Sequence, residues 1–463
     1  MHYQEALALL KAYHQEHILR FWRELSETEK AHLLGQIAQI DFDNLEKLIA
    51  LTAKKDESAP AEMTEAPVIR LEERISRDEK MRQTGAEALA RGEVAVFLVA
   101  GGQGSRLGFE GPKGIFPVTP VKNKSLFQLH AEKIRARATR YGCVIPWYIM
   151  TSQSNHDDTI RFFRENRFFG LNPTDVMFFR QEMLPSVDAK GKLILAEKHA
   201  LFMSPNGHGG SLKALWDSGA VADMKRRGIK YMFYFQVDNV LTKIGDPEFI
   251  GYHIDAGAEM SNKVVHKAYP EEKMGVICKI GDRLGVVEYS DMSDEQMHAT
   301  TEGGALKYWA GSIAIHIINV SFLERENDHG FRLPYHVAHK QIPYVDERGN
   351  RVTPVEKNGF KFETFVFDAL QHTERILSLE VERAEEFSAL KNGSGVDSPA
   401  TARRDLNLLY ARWLEQAGIG VPRDEQGLPA GNIEISPLFA DEAEALLLNK
   451  ERIPSVTYPY YLE

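Results

Sequence analysis

The stretch Val94 to Val118, VAVFLVAGGQGSRLGFEGPKGIFPV, constrains this chain more than any other. Its first seven residues, Val94 to Ala100, are all apolar. That length and composition suit a strand buried on both faces, as in a parallel sheet covered by helices. Gly101, Gly102, Gly104 and Gly108 follow, with Gln103, Ser105, Arg106 and Leu107 between them. Glycines let backbone N–H groups converge on one point with no Cβ in the way, and concave rows of N–H bind anions. Arg106 adds a fixed cation with several donors, and Lys113, after Pro112, adds a compact one. The run reads as a loop that holds a triphosphate. A turn that merely joins a strand to a helix is the plainer alternative, and glycines alone do not separate the two. A Walker A loop is excluded because Gly114, not Ser or Thr, follows Lys113. A dinucleotide fingerprint wants a third glycine opening a helix and a later acidic residue, whereas here Arg106 and Pro112-Lys113 dominate.

Bulk properties narrow the classes. At 463 residues, two or three domains and a large core are expected. The net charge is −10, which argues against general nucleic-acid or membrane binding. Cys143 and Cys278 are too few for a disulfide framework or a cysteine-rich zinc site. The N-terminus is charged and amphipathic, without an apolar signal core, and no apolar run approaches transmembrane length. A cytoplasmic location is expected, with a monomer or weak homo-oligomer as the default.

Residues 1–90 read as a helical N-terminal region, with a polar linker at 54–67 and a charged helix over 70–91. From 91 to 375, strand-like and helix-like segments alternate. Strands are expected at Val94–Ala100, Val144–Met150, Tyr231–Val237, Lys263–Lys267, Gly275–Ile280, Leu284–Tyr289 and Ser312–Ile318. A helix capped by Ser125 separates the first two. This order implies an α/β fold whose sheet is mixed but mainly parallel, with ligands beyond the carboxyl ends of the strands. Residues 376–463 read as a small C-terminal domain, with helices near Ala402–Ala417 and Ala440–Asn449.

The full pattern G-G-x-G-[ST]-R-L-G followed by P-K-G is far more specific than its glycines. It resembles the signature of sugar nucleotidyltransferases, in particular the UDP-sugar pyrophosphorylases of the eukaryotic UDP-N-acetylglucosamine type. The resemblance implies a Rossmann-like nucleotidyltransferase core over 91–375. It also implies that Ala100, Gly101, Gly102, Gly104 and Ser105 bind nucleotide. Other segments join it in order. Asp238, in V-D-N straight after a strand, takes the place of the family's Mg²⁺-binding carboxylate; a turn or helix-cap aspartate is the plainer reading. Gln181, in F-F-R-Q-E-M-L-P, takes the place of a glutamine whose amide reads uracil. Gly207, in P-N-G-H-G-G, maps to a backbone contact with uracil. His208 stands where a sugar-contacting residue lies, and could instead cap the following helix.

Gly275, Glu288 and Ser312 fall on the family's sugar-binding segments. An asparagine is usual at the positions of His208 and Ser312 in the N-acetylglucosamine enzymes, and G-H-G is usual in glucose and broad-specificity ones. Lys391, in F-S-A-L-K-N, takes the place of a phosphate-reaching lysine. Phe365 and Phe367 read as core. His336 and His339 lie three apart, which suits one helix face, and a structural role is favoured over metal binding.

The reaction implied is UTP plus a sugar 1-phosphate giving a UDP-sugar and pyrophosphate, with Mg²⁺. Arg106, Lys113 and Lys391 would be the catalytic cations. Two alternatives stand beside it: a nucleotide-sugar-binding regulatory protein without turnover, and a UTP-hydrolysing phosphotransferase.

Overall fold

The computed structural model describes residues 1–53, 62–328 and 330–463. The chain forms two compact units that interleave in sequence. Residues 1–61, 181–211 and 332–368 make one; 62–180, 212–331 and 369–463 make the other. The partition differs from consecutive regions 1–90, 91–375 and 376–463, because pairing between distant segments leaves no trace in local composition.

The larger unit is built on a ten-stranded sheet. Val94–Val99 lies between Tyr231–Gln236 and Trp147–Thr151, parallel to both, and Val176–Arg180 extends the parallel run. Ala310–Asn319 pairs antiparallel with Tyr231–Gln236, and Met260–His266 follows it antiparallel. Val276–Ile280 and Arg283–Val287 form an antiparallel hairpin. Ile376–Glu380, expected in a separate C-terminal domain, pairs parallel with Met260–His266 in this same sheet. Val176–Arg180 was not among the expected strands: its VMFFR sequence is short and ends against polar residues. The strand expected from Val144 begins at Trp147, because Pro146 has no N–H to give the ladder.

The helix Leu126–Tyr141 covers the parallel strands, with the Ser125 hydroxyl accepting from the Gln128 N–H at 3.1 Å. The helix expected over 70–91 is two, Leu71–Arg74 and Asp78–Ala90. The second crosses Pro247–Asp255 on two glycines. A Cβ at Gly85 would lie 1.9 Å from the Pro247 carbonyl oxygen, and one at Gly251 would lie 1.8 Å from that of Met81. Among the described residues the last α-helix spans Ala443–Leu448, shorter than the expected Ala440–Asn449.

In the other unit, helices Tyr3–Ala12, Glu27–Gln39 and Phe42–Thr52 bury Leu10, Leu33, Ile37 and Leu48 against Leu184, Val187, Leu193 and Phe362. The first 53 residues thus pack on segments 184–201 and 345–362. His336–Lys340, Gly359–Glu363 and Val187–Asp188 form a three-stranded sheet. His336 and His339 therefore sit on a strand, not a helix. A spacing of three there points side chains to opposite faces, and His336 Nε2 meets Asp368 Oδ2 at 2.8 Å. The linker read at 54–67 falls mostly on 54–61, outside the described residues, and Met63–Glu65 within it is a strand. Among the described residues, no helix is long and apolar enough to cross a membrane.

Candidate functional site

Register places the key loops together. Val99 lies opposite Gln236, so the segments that begin at Ala100 and Val237 leave the sheet at one edge. The first is the glycine loop. Asn155 is 1% exposed and holds it from below: its Nδ2 donates to the carbonyls of Ala100 at 2.9 Å and Gly102 at 3.2 Å. With those oxygens tied inward, the N–H groups of Gly101, Gly102 and Gln103 make no backbone hydrogen bond among the described residues. The Gly104 N–H donates to Gly111 O at 2.9 Å, and the Lys113 N–H to Gly102 O at 3.0 Å, so the loop doubles back. A Cβ at Gly104 would fall 2.8 Å from the Phe109 ring, which leaves no room for a larger residue. Gln103, Ser105 and Phe109 line an open cavity of about 500 Å³ here, and Ser105 and Arg106 are exposed at the loop tip.

The second segment carries Asp238. Its Oδ2 lies 3.4 Å from the Lys113 ammonium, both side chains being largely buried. Segment 386–391 is stitched alongside. Asn239 Nδ2 donates to Glu386 O at 2.7 Å, the Val240 N–H to Ser388 O at 3.1 Å, and the Leu390 N–H to Asp238 O at 3.0 Å. Lys391 comes next and turns back, its N–H donating to Asp397 O at 2.7 Å. Burial raises the Asp397 carboxyl, and Lys391 works against that rise. Gly393 then passes so close to the glycine loop that a Cβ on it would sit 3.0 Å from Arg106 O. Arg106, Lys113, Asp238 and Lys391 therefore share one neighbourhood.

The donor set there can be judged against Mg²⁺. Among the described residues, no group of three His, Cys, Asp or Glu could hold a metal. Mg²⁺ binds through one or two carboxylates plus substrate phosphates, so Asp238 beside the glycine loop is a donor of the right kind.

Gly275, Glu288 and Ser312 also cluster in this unit. The Ser312 N–H donates to Gly275 O at 2.8 Å, and a Cβ on Gly275 would lie 3.1 Å from Glu288 Oε1. Burial raises the Glu288 carboxyl, Asp291 adds to the rise, and Lys391 opposes it. Ala314 holds a left-handed backbone, φ 54°, within the strand that bears Ser312.

The smaller unit holds the remaining candidates. Gln181 Nε2 donates to Asn206 Oδ1 at 3.1 Å and to Gly207 O at 2.6 Å. Gly207 has φ 78°, and a Cβ there would lie 2.3 Å from Thr364 O, so only glycine fits. His208 Nδ1 accepts from the Val366 N–H at 3.2 Å, and its ring contacts Phe365 and Phe367 at 5.2 and 5.3 Å. Burial pushes this imidazole down to about 4, with Asp368 opposing. It is therefore neutral near pH 7 with its proton on Nε2, a donor, and does not cap the helix Gly210–Asp217. Phe367 is buried, while Phe365 is half-buried and walls the histidine.

Asn155 and Asn206 went unnoticed in the sequence. Asn155 lies in S-Q-S-N-H-D, which reads as a polar turn before a helix, and Asn206 as one more turn residue beside Gly207.

Comparisons with known proteins bear on this arrangement. The UTP–glucose-1-phosphate uridylyltransferase family profile matches residues 42–407. A mouse protein, UDP-N-acetylhexosamine pyrophosphorylase-like protein 1, is 40% identical over 477 residues, covering 96% of this chain and 94% of that one. The UDP-N-acetylglucosamine pyrophosphorylase of Saccharomyces cerevisiae is 38% identical over 428 residues, covering 87% and 89%. The crystal structure of the uridine diphosphate N-acetylglucosamine pyrophosphorylase from Trypanosoma brucei superposes with a TM-score of 0.83 at 28% identity, covering 99% of this chain and 98% of that one.

Proposed function

Because this chain belongs to the UTP–glucose-1-phosphate uridylyltransferase family, we propose that it converts UTP and a hexose 1-phosphate into a UDP-sugar and pyrophosphate. N-acetylglucosamine 1-phosphate is the first substrate, in keeping with the names of its relatives. Glucose 1-phosphate is the second, in keeping with His208 and Ser312. The observation that carries the reading is the meeting of Lys113 and Asp238 at 3.4 Å beside the glycine loop.

An oxygen of the sugar phosphate attacks the α-phosphorus of UTP in line, and pyrophosphate leaves. That oxygen is already anionic, so no general base is required. The obstacle is repulsion between two polyanions, and catalysis comes from positioning and neutralisation. The glycine-loop amides and Arg106 hold the β- and γ-phosphates. Lys113 stands at the α-phosphate and Lys391 at the sugar phosphate. Mg²⁺, held by Asp238, would supply further charge neutralisation across the phosphates. Gln181 and Gly207 take the uracil, and His208, Gly275, Glu288 and Ser312 the sugar.

The test is pyrophosphate release from UTP with glucose, galactose, N-acetylglucosamine and N-acetylgalactosamine 1-phosphates. Lys113→Ala and Asp238→Ala should each keep the thermal transition and lose about 10²–10³ in rate. Release of inorganic phosphate from UTP without a sugar phosphate, or wild-type turnover in either variant, would overturn the assignment.

A further inference from the structure

An amide side chain can present either end to a ligand, and the two ends select opposite hydrogen-bonding partners. In the smaller unit the orientation of Gln181 is set by its neighbours. Its Nε2 hydrogens are both spent inside the loop, one on Asn206 Oδ1 at 3.1 Å and one on Gly207 O at 2.6 Å. Asn206 is itself an amide and could turn over. It is held the other way by Glu182, whose Oε2 accepts from Asn206 Nδ2 at 3.2 Å. A carboxylate only accepts, so it fixes Asn206 with nitrogen toward Glu182 and oxygen toward Gln181. The Asn206 backbone is pinned as well: its N–H donates to Glu182 O at 3.2 Å, and its carbonyl accepts from the Thr364 N–H at 2.8 Å and the Thr364 hydroxyl at 2.9 Å. Asn206 is 1% exposed, so no water competes for these bonds.

We infer that Asn206 and Glu182 are specificity-determining residues: by passing one orientation along the line Glu182, Asn206, Gln181, they hold the Gln181 oxygen outward and make the site choose uracil over cytosine. The inference rests on the reading above that Gln181 and Gly207 face the base. The Gly207 N–H makes no backbone hydrogen bond among the described residues. An outward acceptor on Gln181 and an N–H donor on Gly207 match the N3–H and O4 of uracil. Cytosine offers a bare N3 and an amino group at the same places, so both contacts turn repulsive. A pocket built around hydrogen bonds rejects the mismatched partner far more strongly than it gains from the right one.

The experiment is kcat/KM for UTP and for CTP in pyrophosphate release, with one sugar 1-phosphate. The proteins are wild type, Asn206→Leu, Glu182→Gln and Gln181→Ala. Wild type should prefer UTP by about 10²-fold or more. Asn206→Leu removes one of the two acceptors that fix the amide, and Glu182→Gln lets Asn206 reverse. Each should narrow the UTP to CTP ratio by about tenfold, with CTP turnover rising. A structural defect alone would lower both substrates together and leave the ratio in place, which would refute the inference. If Gln181→Ala leaves the ratio unchanged, the placement of the base has failed instead. If Gln181→Ala narrows the ratio while Asn206→Leu and Glu182→Gln do not, the orienting line alone has failed.

Discussion

Acidification from pH 7 to pH 5 should destabilise the larger unit. Two histidines there have no solvent exposure. His130 Nε2 faces the carbonyl of Val237 at 3.0 Å, and His253 lies between the Ser261 hydroxyl at 2.7 Å and Asn319 Oδ1 at 2.9 Å. Burial pushes His130 down to about 3 and His253 down to about 4. In the unfolded chain each titrates near 6.5. Below that pH the unfolded chain takes up protons that the folded chain refuses. Stability is therefore whole above about pH 6.5 and falls until the folded values are reached. At about 1.4 kcal/mol per pH unit over about 1.5 units, each histidine removes about 2 kcal/mol by pH 5, and the pair about 4 kcal/mol. Glu248, Glu288 and Asp397, whose carboxyls burial raises, act in the opposite direction. The assay is urea unfolding at pH 7, 6 and 5, followed by tryptophan fluorescence, since of the five tryptophans only Trp22 lies outside this unit. His253→Asn isolates one histidine: its stability should fall with pH about half as steeply as wild type. An equal slope in the two proteins would refute the reasoning.

Two further outcomes follow from the same geometry. Gly251→Ala sets a Cβ 1.8 Å from Met81 O, so the two helices must separate, and the urea midpoint should fall by the equivalent of about 1–3 kcal/mol with the pyrophosphate exchange rate little changed. Asn155→Leu releases the carbonyls of Ala100 and Gly102, at about 1 kcal/mol each, and should raise KM for UTP by about tenfold or more while KM for the sugar phosphate holds.

The strand and the glycine loop of the candidate site were legible because their residues are adjacent in the chain. Val94–Ala100, the glycines after it and the Pro112-Lys113 pair lie within one short stretch, and the strand and the doubled-back loop stand where that stretch implies, whereas Asp238 is brought beside Lys113 by the pairing of Tyr231–Gln236 with Val94–Val99. The mixed, mainly parallel sheet was legible too, because its buried strands are continuous apolar runs. Other features had no local signal. His336 and His339 look helical by spacing, but the residues between them, Val337 and Ala338, are as compatible with a strand, and pairing with Gly359–Glu363 decides the matter. The partnership of the first 53 residues with 184–201 and 345–362 depends on which apolar faces meet, which no single segment records.

The polar residues that hold the candidate loops share one device. Asn155 donates to Ala100 O and Gly102 O, His130 faces Val237 O, and Lys133 donates to Val240 O at 2.7 Å and Thr242 O at 3.0 Å. All three are placed on backbone carbonyls of the two segments that leave the sheet beside Asp238. Burying such groups is unfavourable unless they are hydrogen-bonded: burial pushes Lys133 down to about 7, with Asp441 and Glu386 opposing. The carbonyls bond His130 Nε2 and the Lys133 ammonium, although His130 Nδ1 finds no partner among the described residues, and in exchange the loops lose the freedom to turn their oxygens outward. The anion-binding loop proposed above would need that asymmetry, with N–H outward and C=O inward, more than it needs any one cation. A cation reveals itself in a sequence by its charge. The residue that turns a carbonyl away is an ordinary asparagine, histidine or lysine until the backbone it faces is known.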